Sequence, residues 1–140
     1  MANNLLTYKG LVYPWHCDHM GHMNVMWYVG KFDEATWAFF ATIGMTPDFL
    51  RDSGTGMAAV DQRLTYQREV HAGDMLEIYS RPLEVTNKTI RFSHEMFNAE
   101  TGEISATCEL VGVHLDIKSR KSVPLPDSIR ENALAMMNAE

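Results

Sequence analysis

Between Asn24 and Gly44 runs a segment that is apolar on nearly every side, and it decides what this chain can fold into. Val25, Met26, Trp27, Tyr28, Val29, Phe32, Ala35, Trp37, Ala38, Phe39, Phe40 and Ile43 do not share one narrow stripe of a helical wheel. A helix that is apolar around most of its circumference must be wrapped by other structure. Asn24 is a suitable N-cap, and Gly44 supplies the left-handed residue that ends many helices. The pattern therefore predicts a helix from Val25 to about Ile43, roughly 28 Å long at 1.5 Å per residue.

What wraps it is legible in the periodicity on either side. Leu5 to Tyr13 is rich in β-formers and stops at Pro14. Thr46 to Asp52 reads as a short helix with Thr46 capping and Pro47 in its first turn, and Gly54 and Gly56 follow as breakers. From there the period changes to two. Met57–Val70, Met75–Val85, Thr89–Phe97 and Glu103–Ile117 read as strands separated by short turns, which makes them antiparallel neighbours. In the last of them Cys108, Leu110, Gly112, His114 and Asp116 fall on one face. Pro124 and Pro126 end it, and Asp127 can cap a terminal helix from Ser128 to Asn138. The expected fold class is α+β: a five-stranded antiparallel sheet curled around one long central helix.

The 140 residues, 46% of them apolar, suffice for one core and for a single domain over 1–140. A net charge of −6 with scattered Lys and Arg gives no contiguous basic footprint, so no nucleic-acid partner is expected. No leader-like N-terminus and no apolar run of membrane-spanning length is present, so no membrane partner is expected. Cys17 and Cys108 form no Cys-x-x-Cys pair, which fits a reducing cytoplasm.

The chemistry-bearing stretch is Asp18-His19-Met20-Gly21-His22-Met23-Asn24, immediately before the long helix. It sets a lone carboxylate beside a helix N-terminus, where unpaired N–H groups and the positive end of the macrodipole can hold developing negative charge. That combination suits acyl transfer to water. A thioester carbonyl is electrophilic, and its hydrolysis needs an oriented carboxylate plus donors for the oxyanion. Proximity to the helix end should keep Asp18 ionised. Gly21 would let the backbone turn sharply, and His22 and Asn24 could brace the loop.

The order of elements, with Asp18-x-x-Gly21-His22-x-Asn24 and the following Trp27-Tyr28-x-x-x-Phe32-Asp33-Glu34-Ala35, resembles the hotdog-fold acyl-CoA thioesterases of the 4-hydroxybenzoyl-CoA thioesterase type. The resemblance implies a homodimer or homotetramer, a thioester bound between subunits, Asp18 as the catalytic carboxylate and the backbone N–H of Val25 as the oxyanion donor. It calls for no cofactor and no metal. Members often carry a second Asp two positions before the catalytic one; here that position is His16. The implied activity is hydrolysis of a short-chain or aromatic acyl-CoA. The alternative is a non-catalytic hotdog subunit that binds acyl-CoA or scaffolds a complex, and a hotdog dehydratase is a third reading.

Competing readings stand beside these assignments. Asp33 and Glu34 are alternative carboxylates within the helix. His16, His19 and His22 recur at three-residue intervals, but in a loop broken by Gly21 the spacing does not make a metal site. Cys17 lacks a basic partner beyond its flanking histidines. Asn87, Lys88 and Arg91, at the turn between two strands, are candidates for the coenzyme A phosphates, with Arg63, Arg68, Arg120 and Lys121 as further cations. Trp27 and Tyr28, with Trp15, Met26 and Trp37, are candidates for the acyl pocket; their bulk favours a short or aromatic acyl group, and an aromatic cage for a cationic one is conceivable.

Overall fold

The computed structural model describes residues 5–139. In chain order the elements are β1 (Leu5–Leu11), a 3₁₀ turn at Pro14–His16, α1 (Val25–Thr42), α2 (Pro47–Ser53), β2 (Thr55–Tyr66), β3 (Met75–Val85), β4 (Thr89–Asn98), β5 (Ile104–Asp116) and α3 (Asp127–Asn138). The five strands form one antiparallel sheet in the order β1-β3-β4-β5-β2, so β1 and β2 are its edges. This is the sheet around a central helix anticipated from the helix composition, and the hotdog arrangement that the family resemblance implies.

Helix α1 lays Tyr28, Phe32, Ala35 and Phe39 into the sheet, and all four are buried. Phe39 stacks on Phe92 at 5.0 Å and Phe40 meets the same ring edge-on at 5.2 Å. Strand β5 presents Cys108, Leu110, Gly112 and His114 inward, as its alternation predicts. Gly112 is needed there: a Cβ would stand 3.3 Å from the Phe40 ring and 3.1 Å from Met57. Within one chain the sheet covers only part of the helix. Met26, Val29 and Trp37 form a second apolar stripe that is 64%, 38% and 43% exposed, facing the side of edge strand β2.

Element ends differ from the periodicity reading where backbone bonds are diverted. The expected strand to Val70 stops at Tyr66, because the N–H groups of Gln67 and Arg68 both turn to the Ser105 carbonyl. The peeled segment then offers the Val70 carbonyl to the Met23 N–H at 2.8 Å, which pins the loop before α1. Helix α3 begins one residue early, with Pro126 as N-cap and Asp127 inside its first turn, bonded to Arg130 rather than capping. A buried polar line crosses the core. Thr7 meets Ser80 at 2.7 Å, Ser80 meets His94 Nδ1 at 2.5 Å, and His94 Nε2 meets Thr36 at 2.8 Å. Burial pushes the His94 pKa down to about 3.

Candidate active site

The loop carrying Asp18 is built by short-range bonds. Pro14–His16 coil once, and the Tyr13 N–H donates to His16 Nδ1 at 3.0 Å. Cys17 and Met23 then pair across an isolated antiparallel bridge. At its tip the Asp18 N–H donates to the His22 carbonyl and the Gly21 N–H donates back to the Asp18 carbonyl, at 3.1 and 3.0 Å. Closing so tight a turn requires Gly21 at φ +89°, the left-handed region that other residues adopt at a cost.

Asp18 is held by both carboxylate oxygens. Oδ1 accepts from the Met20 N–H at 2.9 Å, and Oδ2 accepts from Asn24 Nδ2 at 2.8 Å. Asn24 is also the N-cap of α1, its Oδ1 accepting from the Met26 N–H at 3.0 Å. The Asp18 pKa is lowered, first by the Asn24 bond and then by the Met20 N–H. Hydrogen bonds to the charged form, which the helix position alone did not foretell, are the leading causes. At the first helical position, the Val25 N–H has no hydrogen-bond partner among the described residues, and the Val25 side chain is exposed.

Two cavities open near the start of α1, with Asp18 in the wall of neither. A cleft of about 220 Å³ is bounded by His22, Val25, Tyr28, Tyr66 and Arg68. His22 Nε2 lies 3.2 Å from Glu69, and the buried Tyr28 ring meets Tyr66 edge-on at 5.1 Å. A larger cavity of about 490 Å³ follows the exposed stripe of α1, with Asp33, Thr36, Trp37, Phe40, Met57 and Phe92 in its wall. Among the described residues, Asp33 is the one ionisable side chain lining it. Glu34 points to a different groove, on the β1 side of the helix, together with Trp27 and Trp15. Trp27 packs on His16 at 4.4 Å, so the structure separates it from Tyr28.

The expected phosphate contacts lie elsewhere in the chain. Arg91 is engaged by Glu109 at 2.6 Å and Glu84 at 3.8 Å. Asn87 is bound through its side chain and carbonyl by Arg130 of α3, and two residues on, Asn132 caps the Ile43 carbonyl at 2.9 Å. Within one chain the Asn87–Lys88 turn is thus tied to the C-terminal end of α1, and Asp18 stands at the N-terminal end. Arg68 pairs with Glu103 at 3.0 Å. His16 is buried against Trp27 while His22 faces Glu69, and among the described residues no three His, Cys, Asp or Glu side chains gather as a metal site. Cys108 is buried, its thiol pushed up to about 12.

Sequence reasoning passed over Lys31 and, apart from Arg68, the 66–69 segment. The signal for Lys31 was available, as a lone cation on a helix otherwise apolar at that end. Residues 66–69 join the cleft only because β2 stops short.

Comparisons with known proteins agree with the fold. The chain is 32% identical over 123 residues to an L-carnitine dehydrogenase/betainyl-CoA thioesterase of Agrobacterium fabrum, matching 88% of this chain and 25% of that protein, so it spans about a quarter of that relative's length. It is 25% identical over 139 residues to the betainyl-CoA thioesterase of Pseudomonas aeruginosa, covering 99% of this chain and 87% of that one. A Staphylococcus aureus protein solved in complex with CoA superposes with a TM-score of 0.91 at 17% identity, covering 98% of this chain and 87% of that chain, a likeness of fold. The profile of the thioesterase-like superfamily matches residues 12–133. By that match, over most of its length, the chain belongs to the thioesterase-like superfamily.

Proposed function

We propose that this protein is an acyl-CoA thioesterase in which Asp18 is the catalytic carboxylate and the Val25 N–H receives the oxyanion. The observation that carries the reading is the joint anchoring of Asp18 and the start of α1 by one side chain, Asn24. An ionised carboxylate held beside an uncommitted helical N–H supplies both requirements of thioester hydrolysis. Attack on the carbonyl carbon places negative charge on its oxygen, which the N–H stabilises. Collapse expels the CoA thiolate. The attacking group is either Asp18 itself, giving a mixed anhydride that water then cleaves, or a water that yields its proton to Asp18. Both routes consume one water and release acid and thiol.

The acyl group we assign is small and cationic, of the betainyl kind for which the relatives are named. The 490 Å³ cavity favours it, since aromatic faces of Trp37, Phe40 and Phe92 and the Asp33 carboxylate line its wall and no Lys, Arg or His does. The exposed Met26–Val29–Trp37 stripe beside edge strand β2 supports a homo-oligomer in which a second copy closes that cavity. Thiol release from a panel of acyl-CoA esters tests both parts. Betainyl-CoA should be hydrolysed faster than its neutral isostere 3,3-dimethylbutyryl-CoA, and Asp18→Asn should lower turnover of either by orders of magnitude. Equal rates for the two esters discard the cationic acyl group, and equal rates for the two proteins discard Asp18.

A further inference from the structure

The groove on the β1 side of α1 is not used by this reading, and it contains a buried cation with no counter-ion among the described residues. Lys31 is 3% exposed. Of its three N–H donors one reaches Tyr8 Oη at 2.7 Å, with the ammonium 5.0 Å from the Tyr8 ring centre. None of the ion pairs among the described residues includes it. Removing an ammonium from water without an anion is expensive, so such a group is retained where an anion completes it. The remaining charged neighbours do not. Glu34 lies at the exposed rim beyond ion-pairing distance, and Lys9 is itself a cation, committed to Glu77 at 3.6 Å. His16 lines the groove with its Nδ1 already occupied by the Tyr13 N–H, and burial, followed by the charge of Lys31, lowers its pKa.

The groove is shallow and open to solvent, with a volume of about 670 Å³, and aromatic rings line it. Tyr13 and Trp15 stack within 3° of parallel at 4.6 Å, yet are 43% and 66% exposed, and Trp27 covers His16. Exposed parallel rings beside a buried cation are a recognition surface for a flat ring that carries an oxyanion.

We propose that this groove binds a planar ring bearing a carboxylate or phosphate, with the oxyanion on Lys31 Nζ and the ring against Trp15. The site is independent of hydrolysis at Asp18, because occupancy needs no thioester. Two sources share the chemistry: a phosphorylated purine nucleoside, as at the nucleotide end of CoA, and a free aromatic acid. Calorimetric titration separates them, using adenosine 3′,5′-bisphosphate against adenosine and naphthalene-1-acetate against its amide. We expect saturable binding of one charged probe and none of its neutral counterpart. Lys31→Met should weaken it by roughly ten- to a hundredfold, the worth of a charge-assisted hydrogen bond, and Trp15→Ala should weaken it in the same direction. Should Lys31→Met fail to fold by circular dichroism, the neutral analogues and the exposed Trp15→Ala site carry the test alone. No saturable binding of either charged probe, equal binding of a neutral analogue, or wild-type affinity in a folded Lys31→Met protein overturns the proposal.

Discussion

Asn24 bonds Asp18 through its amide nitrogen at 2.8 Å and starts α1 through its amide oxygen at 3.0 Å. The position of the carboxylate is therefore not set by loop packing alone. It is referenced to the place where the helix begins, and so to the unpaired N–H of the next residue, Val25. Any rotation of Asn24 that breaks one bond breaks the register between the two groups.

Removing either partner should separate orientation from charge. Asp18→Asn should lower the rate of thiol release by about 10²–10⁴-fold, the usual worth of a general base. Asn24→Ala removes the donor that holds the Asp18 pKa down, so the acid limb of the pH–rate profile should move to higher pH. The lost cap should also destabilise the fold by about 1 kcal/mol. Asn24→Asp keeps a capping oxygen but sets a like charge beside Asp18. Its acid limb should move further up while its melting temperature stays closer to wild type. An acid limb that stays fixed in both Asn24 variants would mean that the bond plays no part in turnover.

Gly21 offers a complementary test, since nothing lies within 4 Å of a Cβ built there and only φ +89° resists a side chain. Gly21→Ala should therefore cost about 1–2 kcal/mol of backbone strain, with no steric clash. If the turn yields to relieve it, the carboxylate moves, and kcat should fall more than stability does. Loss of melting temperature with unchanged kcat would show that the loop keeps its shape under strain.

How far the sequence alone reached is shown by these same residues. The Asp18–Asn24 stretch, the helix it precedes and the five strands were all legible, because capping residues and a change of period from 3.6 to 2 are local signals. The bond between Asp18 and Asn24 was legible only as a bracing role, since a six-residue separation does not fix side-chain geometry. The early end of β2, the capture of Arg91 by two glutamates and the burial of Lys31 were not legible. Each depends on which strand lies next to which, and sheet order is set by long-range packing. The His94 line was hidden for the same reason, as its members come from β1, β3, β4 and α1.

The uncovered stripe on α1 leads to a prediction about assembly. Trp37 is 43% exposed and Val60, on edge strand β2, is 61% exposed. Apolar side chains concentrated beside an open sheet edge are what a second copy of the chain would cover. Val60→Glu and Trp37→Glu should each shift the protein to a monomer in light scattering after size exclusion, and should lower hydrolysis because the 490 Å³ cavity loses its closing wall. A wild-type protein that runs as a monomer at micromolar concentration contradicts the assembly reading outright.

The buried histidine makes stability depend on pH in a defined window. Thr36 Oγ1 donates to the Phe32 carbonyl at 2.9 Å, so it can only accept from His94, and the imidazole must carry its proton on Nε2. Nδ1 is then the acceptor for the Ser80 hydroxyl, and a second ring proton would force that hydroxyl to turn and accept while leaving a charge in the buried core. In the unfolded chain the same imidazole titrates near 6.5, against about 3 in the fold. Between these values the unfolded state binds a proton that the native state refuses, so stability is full above about pH 6.5 and declines as the pH falls. The slope should approach about 1.4 kcal/mol per pH unit well inside the window. Carboxylates with lowered pKa values, Asp18 and Asp116, contribute only further into acid, which leaves pH 6.5–4.5 (about two units) to the two histidines with lowered pKa values, His94 with the large shift and His16 in the same direction. Urea unfolding followed across that range should show the decline. His94→Gln, which bonds without titrating, should lower the stability at pH 7 and flatten the slope. A variant with reduced stability but the wild-type slope would assign the acid sensitivity to some other group.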